Sequence, residues 1–137
     1  MTRCDECGAS YADASDSCTK RFGQLLALDH SRQEPWGSRH GLAFAAFALQ
    51  HPGRFDSATT DRSRELVERV LVQGEALDRV VREFRAAPSR PDRGVSKPRS
   101  TEYPVTIVDL GDFDAARYAD NLERWCLSAL GSREREL

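Results

Sequence analysis

The sequence predicts an all-α bundle of about four main helices, with a cysteine-bearing N-terminal loop packed on it. Three observations predict this. Leu66, Val67, Val70, Leu71, Leu77, Val80, Val81 and Phe84 recur at three- and four-residue steps, the period of one buried helix face. Residues 42–49 are apolar on most sides of a helix, as expected of an element at the centre of a bundle. Prolines 35, 52, 88, 91 and 98 fall at the start of these stretches or between them, where a missing N–H does no harm.

Residues 1–17 read as a loop, because they are small and polar around the turn Cys4-Asp5-Glu6-Cys7-Gly8. Asp16 or Ser17 can cap a first helix that begins near Cys18 and turns Phe22, Leu25, Leu26 and Leu28 inward. The polar run Asp29 to Glu34 makes a turn, and Pro35 suits the first position of a second helix reaching about Gln50. His51-Pro52-Gly53 ends it, since proline disfavours helix in the residue before it. A third helix is expected from Thr60 or Asp61 to Phe84, with Gly74 marking a bend or a close contact. The proline- and charge-rich stretch 86–101 reads as a flexible loop. Thr106-Ile107-Val108-Asp109 has the form of a capping box opening a short helical turn, which the sequence favours over a strand from Tyr103 to Leu110. A last helix is expected from Asp114 to Leu130, stopped at Gly131.

At 137 residues the chain reads as a single metal-organised helical domain, 1–137, long enough to bury roughly two-thirds of its unfolded surface. Its 20 basic and 22 acidic residues give no global pull toward nucleic acid or an anionic membrane. No apolar run approaches the roughly 18 residues of a membrane span, and no secretory h-region stands at the start, so a cytoplasmic location is expected.

In a reducing compartment, three thiols so close together favour metal over disulfide. Cys4 and Cys7 have the two-residue spacing that brings two sulfurs to one point, and Gly8 permits the positive φ of a zinc-knuckle-like turn. Cys18 would add a third ligand from a helix start, where the dipole favours a thiolate. If the first two helices form an antiparallel hairpin, Cys18 at its open end faces His51, which would complete a Cys3His zinc site. His40 lies about 16 Å away along the second helix, and His30 at the closed end, although His40 stays open as the alternative fourth ligand. Cys126, beside Trp125, reads as a small core residue. The competing readings are free thiols, or a Cys4–Cys7 redox pair, which wants a βαβ setting that is not visible.

The chain resembles an uncharacterised family of small bacterial proteins classed as a domain of unknown function. The resemblance rests on Cys4-Asp-Glu-Cys7-Gly8, on Cys18 with Phe22 and Leu25-Leu26, and on His40-x10-His51-Pro52. It continues in Pro104-Val-Thr106-Ile-Val-Asp109 and Arg124-Trp125. Members of that family often carry a further histidine in the third helix, where this chain has Glu68 and Arg69. The resemblance therefore implies the fold and the Cys/His set, and no activity.

Three functions fit the sequence. The first is a closed structural zinc site in a protein that binds another protein or a small molecule. The second is a small-molecule enzyme with His40 as general acid–base remote from the zinc, near Trp36, His30 and Asp29, with Asp109 and Asp112 within reach. Against it, capping explains both aspartates, and no phosphate loop or nucleophile motif is present. The third is nucleic-acid binding through Arg3, Arg85, Arg90, Arg93, Lys97 and Arg99, opposed by the acidic residues in and after the cysteine turn.

Overall fold

The computed structural model describes residues 1–95 and 101–134, with side chains through residue 131. Among these, five helices and one two-stranded ribbon make up the regular structure, so the all-α expectation holds. The ribbon pairs β1 (Thr2–Arg3) with β2 (Ser10–Tyr11) antiparallel, and the cysteine turn lies between them.

Helix α1 spans Cys18–His30 and is capped by Ser17, whose hydroxyl accepts the Lys20 N–H at 3.0 Å. It runs further than the polar run suggested, so Asp29 and His30 belong to its last turn. Helix α2 spans His40–Gln50, later than Pro35 promised, and is preceded by a tight turn over Gly37–Arg39. The reason is tertiary: the Trp36 indole N–H donates to the Phe113 carbonyl at 3.0 Å and holds the chain in a turn there. As expected, α2 is the central element, burying every residue from Ala45 to Gln50 among α1, α3 and α5. His51 closes it, and Pro52–Arg54 forms a short turn beyond.

Helix α3 begins at Ser57, earlier than expected, because the Asp56 carboxylate caps it through the Thr59 N–H at 2.7 Å. It reaches Val67 and then widens over Glu68–Val72, where the Gln73 N–H bonds five residues back to Glu68. Gly74, at φ +78°, breaks the expected long helix outright. The periodic stretch resumes as α4, Leu77–Ala86.

The first part of the expected 86–101 loop folds back on the start of α3: the Ser57 N–H donates to Gly94, and Asp92 accepts from the Ser57 hydroxyl and the Gly94 N–H. The rest of that expectation, 96–100, lies outside the described residues. The Thr106–Asp109 capping box is present, opening a turn over Ile107–Leu110. Helix α5 spans Tyr118–Glu134, so both its expected ends move. Asp114 forms a separate turn, accepting from Ala116 and Arg117, and Gly131 lies inside the helix.

Trp125, Tyr118, Leu122, Leu25 and Ile107 are the largest apolar side chains that are wholly buried. Gln50 lies among them with both ends satisfied. Its amide donates to the Val105 carbonyl at 2.8 Å, and its oxygen accepts the Trp125 indole N–H at 2.9 Å. That bridge ties α2, α5 and the 105–110 segment together. No helix among the described residues is long and apolar enough to cross a membrane.

Candidate metal centre

The cysteine turn is built locally. The Cys4 N–H bonds to the Ala9 carbonyl at 2.8 Å and the Gly8 N–H to the Cys4 carbonyl at 3.1 Å, which folds both sulfurs to one side. Gly8 sits at φ +83°, which favours glycine, and a Cβ there would also press on the Glu102 backbone at 3.2 Å. The outward carbonyls of the turn are also used: Glu6 accepts from the Thr101 N–H and Cys7 from the Tyr103 N–H.

Helix α1 brings Cys18 to this turn at its first position, and the end of α2 brings His51. One ligand atom from each of Cys4, Cys7, Cys18 and His51 lies within 4.8 Å of the others. Three of the four residues are buried and Cys4 is half-buried. A tetrahedral zinc with Zn–S of about 2.3 Å and Zn–N of about 2.0 Å needs ligand–ligand edges of about 3.5–3.8 Å. The Cys7 and Cys18 sulfurs stand 3.5 Å apart, within a few tenths of an ångström of the sulfur–sulfur edge of about 3.8 Å.

His51 carries the strongest indication of what the cluster holds. Its Nδ1 lies 2.7 Å from the Phe47 carbonyl oxygen, which can only accept, so Nδ1 bears the proton. Nε2 is then left as a lone pair, and it is buried with no hydrogen bond of its own. A buried orphan of this kind needs a partner, and a backbone-oriented imidazole is the usual form of a metal ligand. Stacking on Phe47, with ring centroids 4.2 Å apart, fixes the ring plane.

The surroundings favour anionic sulfur. Tyr11 donates its hydroxyl to the Cys18 sulfur at 2.9 Å, and an Arg54 N–H lies 4.0 Å from that of Cys4. The Cys18 thiol is pulled down to about 4, first by the hydrogen bond from Cys7 and further by that from Tyr11, against burial. Cys7 is pushed up by its bond to the Cys18 sulfur and by burial, and Tyr11 chiefly by burial. A cation at the centre would remove the conflict by holding all three sulfurs as thiolates.

Glu6 ties the two halves of the site together. Almost wholly buried, its carboxylate accepts the Gly53 N–H at 2.8 Å and the Arg54 Nε–H at 3.2 Å, so the cysteine turn grips the turn that follows His51. In the sequence Glu6 stands out only as a charge opposing nucleic acid, and nothing there marks Tyr11 or Arg54. Proximity of Glu6 to Cys7 was the one available signal.

His51, and not His40, joins the three sulfurs. His40 stands at the far end of α2 with Nδ1 2.8 Å from the Asp29 carboxylate and its ring 6.1 Å from that of His30. Trp36 packs on Tyr118 instead. Cys126 is a core residue: its thiol donates to the Leu42 carbonyl at 3.4 Å, and burial pushes it up. Asp109 caps its own turn. Of the arginines weighed for nucleic acid, Arg3 pairs with Glu102, Arg90 with Glu65 and Arg93 with Asp61, while Lys97 and Arg99 lie outside the described residues.

Fold and donor set together define a small helical protein whose N-terminal turn assembles a Cys3His cluster. A family model matches residues 2–133, and the chain belongs to that family, the family of unknown function DUF5946. No curated protein and no solved structure matches it.

Proposed function

We propose that Cys4, Cys7, Cys18 and His51 bind one zinc ion, which clamps the N-terminal ribbon to the open end of the α1–α2 pair in a cytoplasmic accessory protein that binds another protein or a small molecule. The observation that carries this reading is the His51 ring: its Nδ1 is committed to the Phe47 carbonyl, and its bare Nε2 is buried beside three sulfurs. Thiolate and imidazole together suit zinc better than magnesium or calcium, which prefer oxygen. Four protein ligands leave no position for a substrate or an activated water, so the role is structural.

Metal analysis of the purified chain tests this. One zinc per chain is expected, lost in Cys7→Ser, Cys18→Ser and His51→Ala and kept in His40→Ala. Retention of a full equivalent in His51→Ala would sink the ligand set.

A general acid–base role for His40 draws on a separate observation, the Asp29 carboxylate that orients its ring. The nucleic-acid reading has little support, since three of its arginines are already neutralised by carboxylates.

A further inference from the structure

His40 sits where two grooves meet at the end of the bundle away from the cysteines. One, of about 510 Å3, is walled by α2, α3, Phe84 of α4 and Ser89, Arg90 and Asp92 beyond it. The other, of about 550 Å3, lies between the α1 end and α4. Both volumes are those of small-ligand sites. The first has an apolar floor, Phe44, Ala45, Leu66 and Phe84, under a polar rim.

The rim is unevenly satisfied. Its two carboxylates are spent on the start of α3: Asp56 caps Thr59, and Asp92 accepts from Ser57 and Gly94. Arg90 pairs with Glu65. Arg62 differs. Its guanidinium lies over the Phe84 ring at 5.7 Å, and its Nε is buried with no hydrogen-bond acceptor. Its charge also helps to hold the Asp56 carboxyl low, after the hydrogen bonds from Thr59. A buried guanidinium nitrogen without an acceptor is costly unless a ligand supplies one.

His40 adds a second donor. Asp29, whose side chain is 2% exposed, holds Nδ1–H, leaving Nε2 as the ring's polar atom for the groove. The same hydrogen bond lifts the pKa of His40 above its usual range, which favours the imidazolium with N–H at both positions.

We propose that this groove binds a small organic anion, a carboxylate or a phosphate monoester on an apolar body, with Arg62 and His40 taking the anionic head and Phe44, Leu66 and Phe84 the body. Guanidinium and imidazolium together match two oxygens of such a head, and the phenyl floor matches a body of a few carbons. The second groove has the weaker claim, because Asp78 lies against its Arg82 and none of its lining cations is a buried donor without an acceptor. This proposal is independent of the metal site and survives if no zinc binds.

Titrating the isotopically labelled full chain with benzoate, phenyl phosphate and, as neutral control, benzyl alcohol tests it by following the Gly41 and Ser63 amide signals. Saturable shifts with an anion and not with the alcohol are expected, and the tighter of the two anions identifies the head group. Arg62→Gln should weaken binding by about tenfold or more, the usual cost of a lost charge-assisted hydrogen bond, with metal content unchanged. His40→Gln, which leaves the α3 side of the groove untouched, should do the same should Arg62→Gln fail to fold. No saturable shift with either anion would overturn the proposal. So would an equal response to the alcohol, or full binding in both variants.

Discussion

At one end of α2, His51 is wholly buried, its Nδ1 held by a backbone carbonyl and its Nε2 facing sulfur; at the other, His40 is 43% exposed, its Nδ1 held by a carboxylate. The two rings belong to the same helix and the same residue type, yet they are prepared for opposite tasks. The carbonyl partner fixes the His51 tautomer and turns its bare Nε2 toward the sulfurs, and a carboxylate partner draws a proton onto His40. The environment of the second nitrogen matters as much. Around His51 the turn of Cys4 to Gly8 closes over the ring, while around His40 the helices part and leave grooves. The difference lies in what covers each helix end.

Stripping the metal should break the comparison most severely. With a strong chelator, amides of residues 2–16 should lose hydrogen-exchange protection, since binding and folding are coupled at such sites. Protection in α2 around Leu42 to Ala46, and the His40 grooves, should persist, because α2 packs chiefly on α3 and α5, which carry none of the four donors. Collapse of both ends together would show that the clamp supports the whole bundle.

Glu6→Gln should come next. It removes the charge from a buried acceptor of two N–H groups and is expected to cost about 1.5–3 kcal/mol in urea unfolding. Glu34→Gln, at the opposite end, should cost less than about 0.5 kcal/mol, since Glu34 is an exposed partner of Ser38 and Arg39. Tyr11→Phe sharpens the picture at the ligand level: one donor to the Cys18 sulfur disappears, so zinc should still bind, about tenfold more weakly by competition with a chelating dye.

The smallest effect concerns pH. The folded pKa of His40 is raised above 6.5 by its bond to Asp29, so the pair's contribution is complete below 6.5 and is lost as pH rises through the folded value. The wild-type melting temperature, relative to Asp29→Asn, should therefore fall as pH increases from 6.5 upward. Besides Asp29, the charged or titratable groups lining the grooves on either side of His40 are His30 on α1, Asp78, Arg82 and Arg85 on α4, Asp56 and Arg62 on α3, and Arg90 and Asp92. A gap that widens with rising pH would reverse the assignment of the proton.

Much of the site was legible because its signals are local or periodic. Spacing placed Cys4 and Cys7 in one turn, a helix start placed Cys18, and the geometry of a helical hairpin chose His51 over His40. The Thr106–Asp109 box was equally readable, since both of its hydrogen bonds close within four residues. The breaks were less so. Gly74 could bend a helix or end it, and only the turn that the chain takes there, with Glu75 held by Arg69, decided for an end.

By itself, then, the sequence determined the helical period, the cysteine turn and the start of α1 at Cys18, because each follows from bonds or repeats a few residues long, and it pointed to His51 only through the expected pairing of the first two helices. Tertiary structure alone decided that Glu6 grips Gly53 across 47 positions, that Trp36 reaches Phe113 across 77, and that Arg62 and His40 share a groove. Such pairings depend on how helices pack against one another, and no short-range rule of hydrogen bonding or periodicity specifies which distant groups that packing will bring face to face.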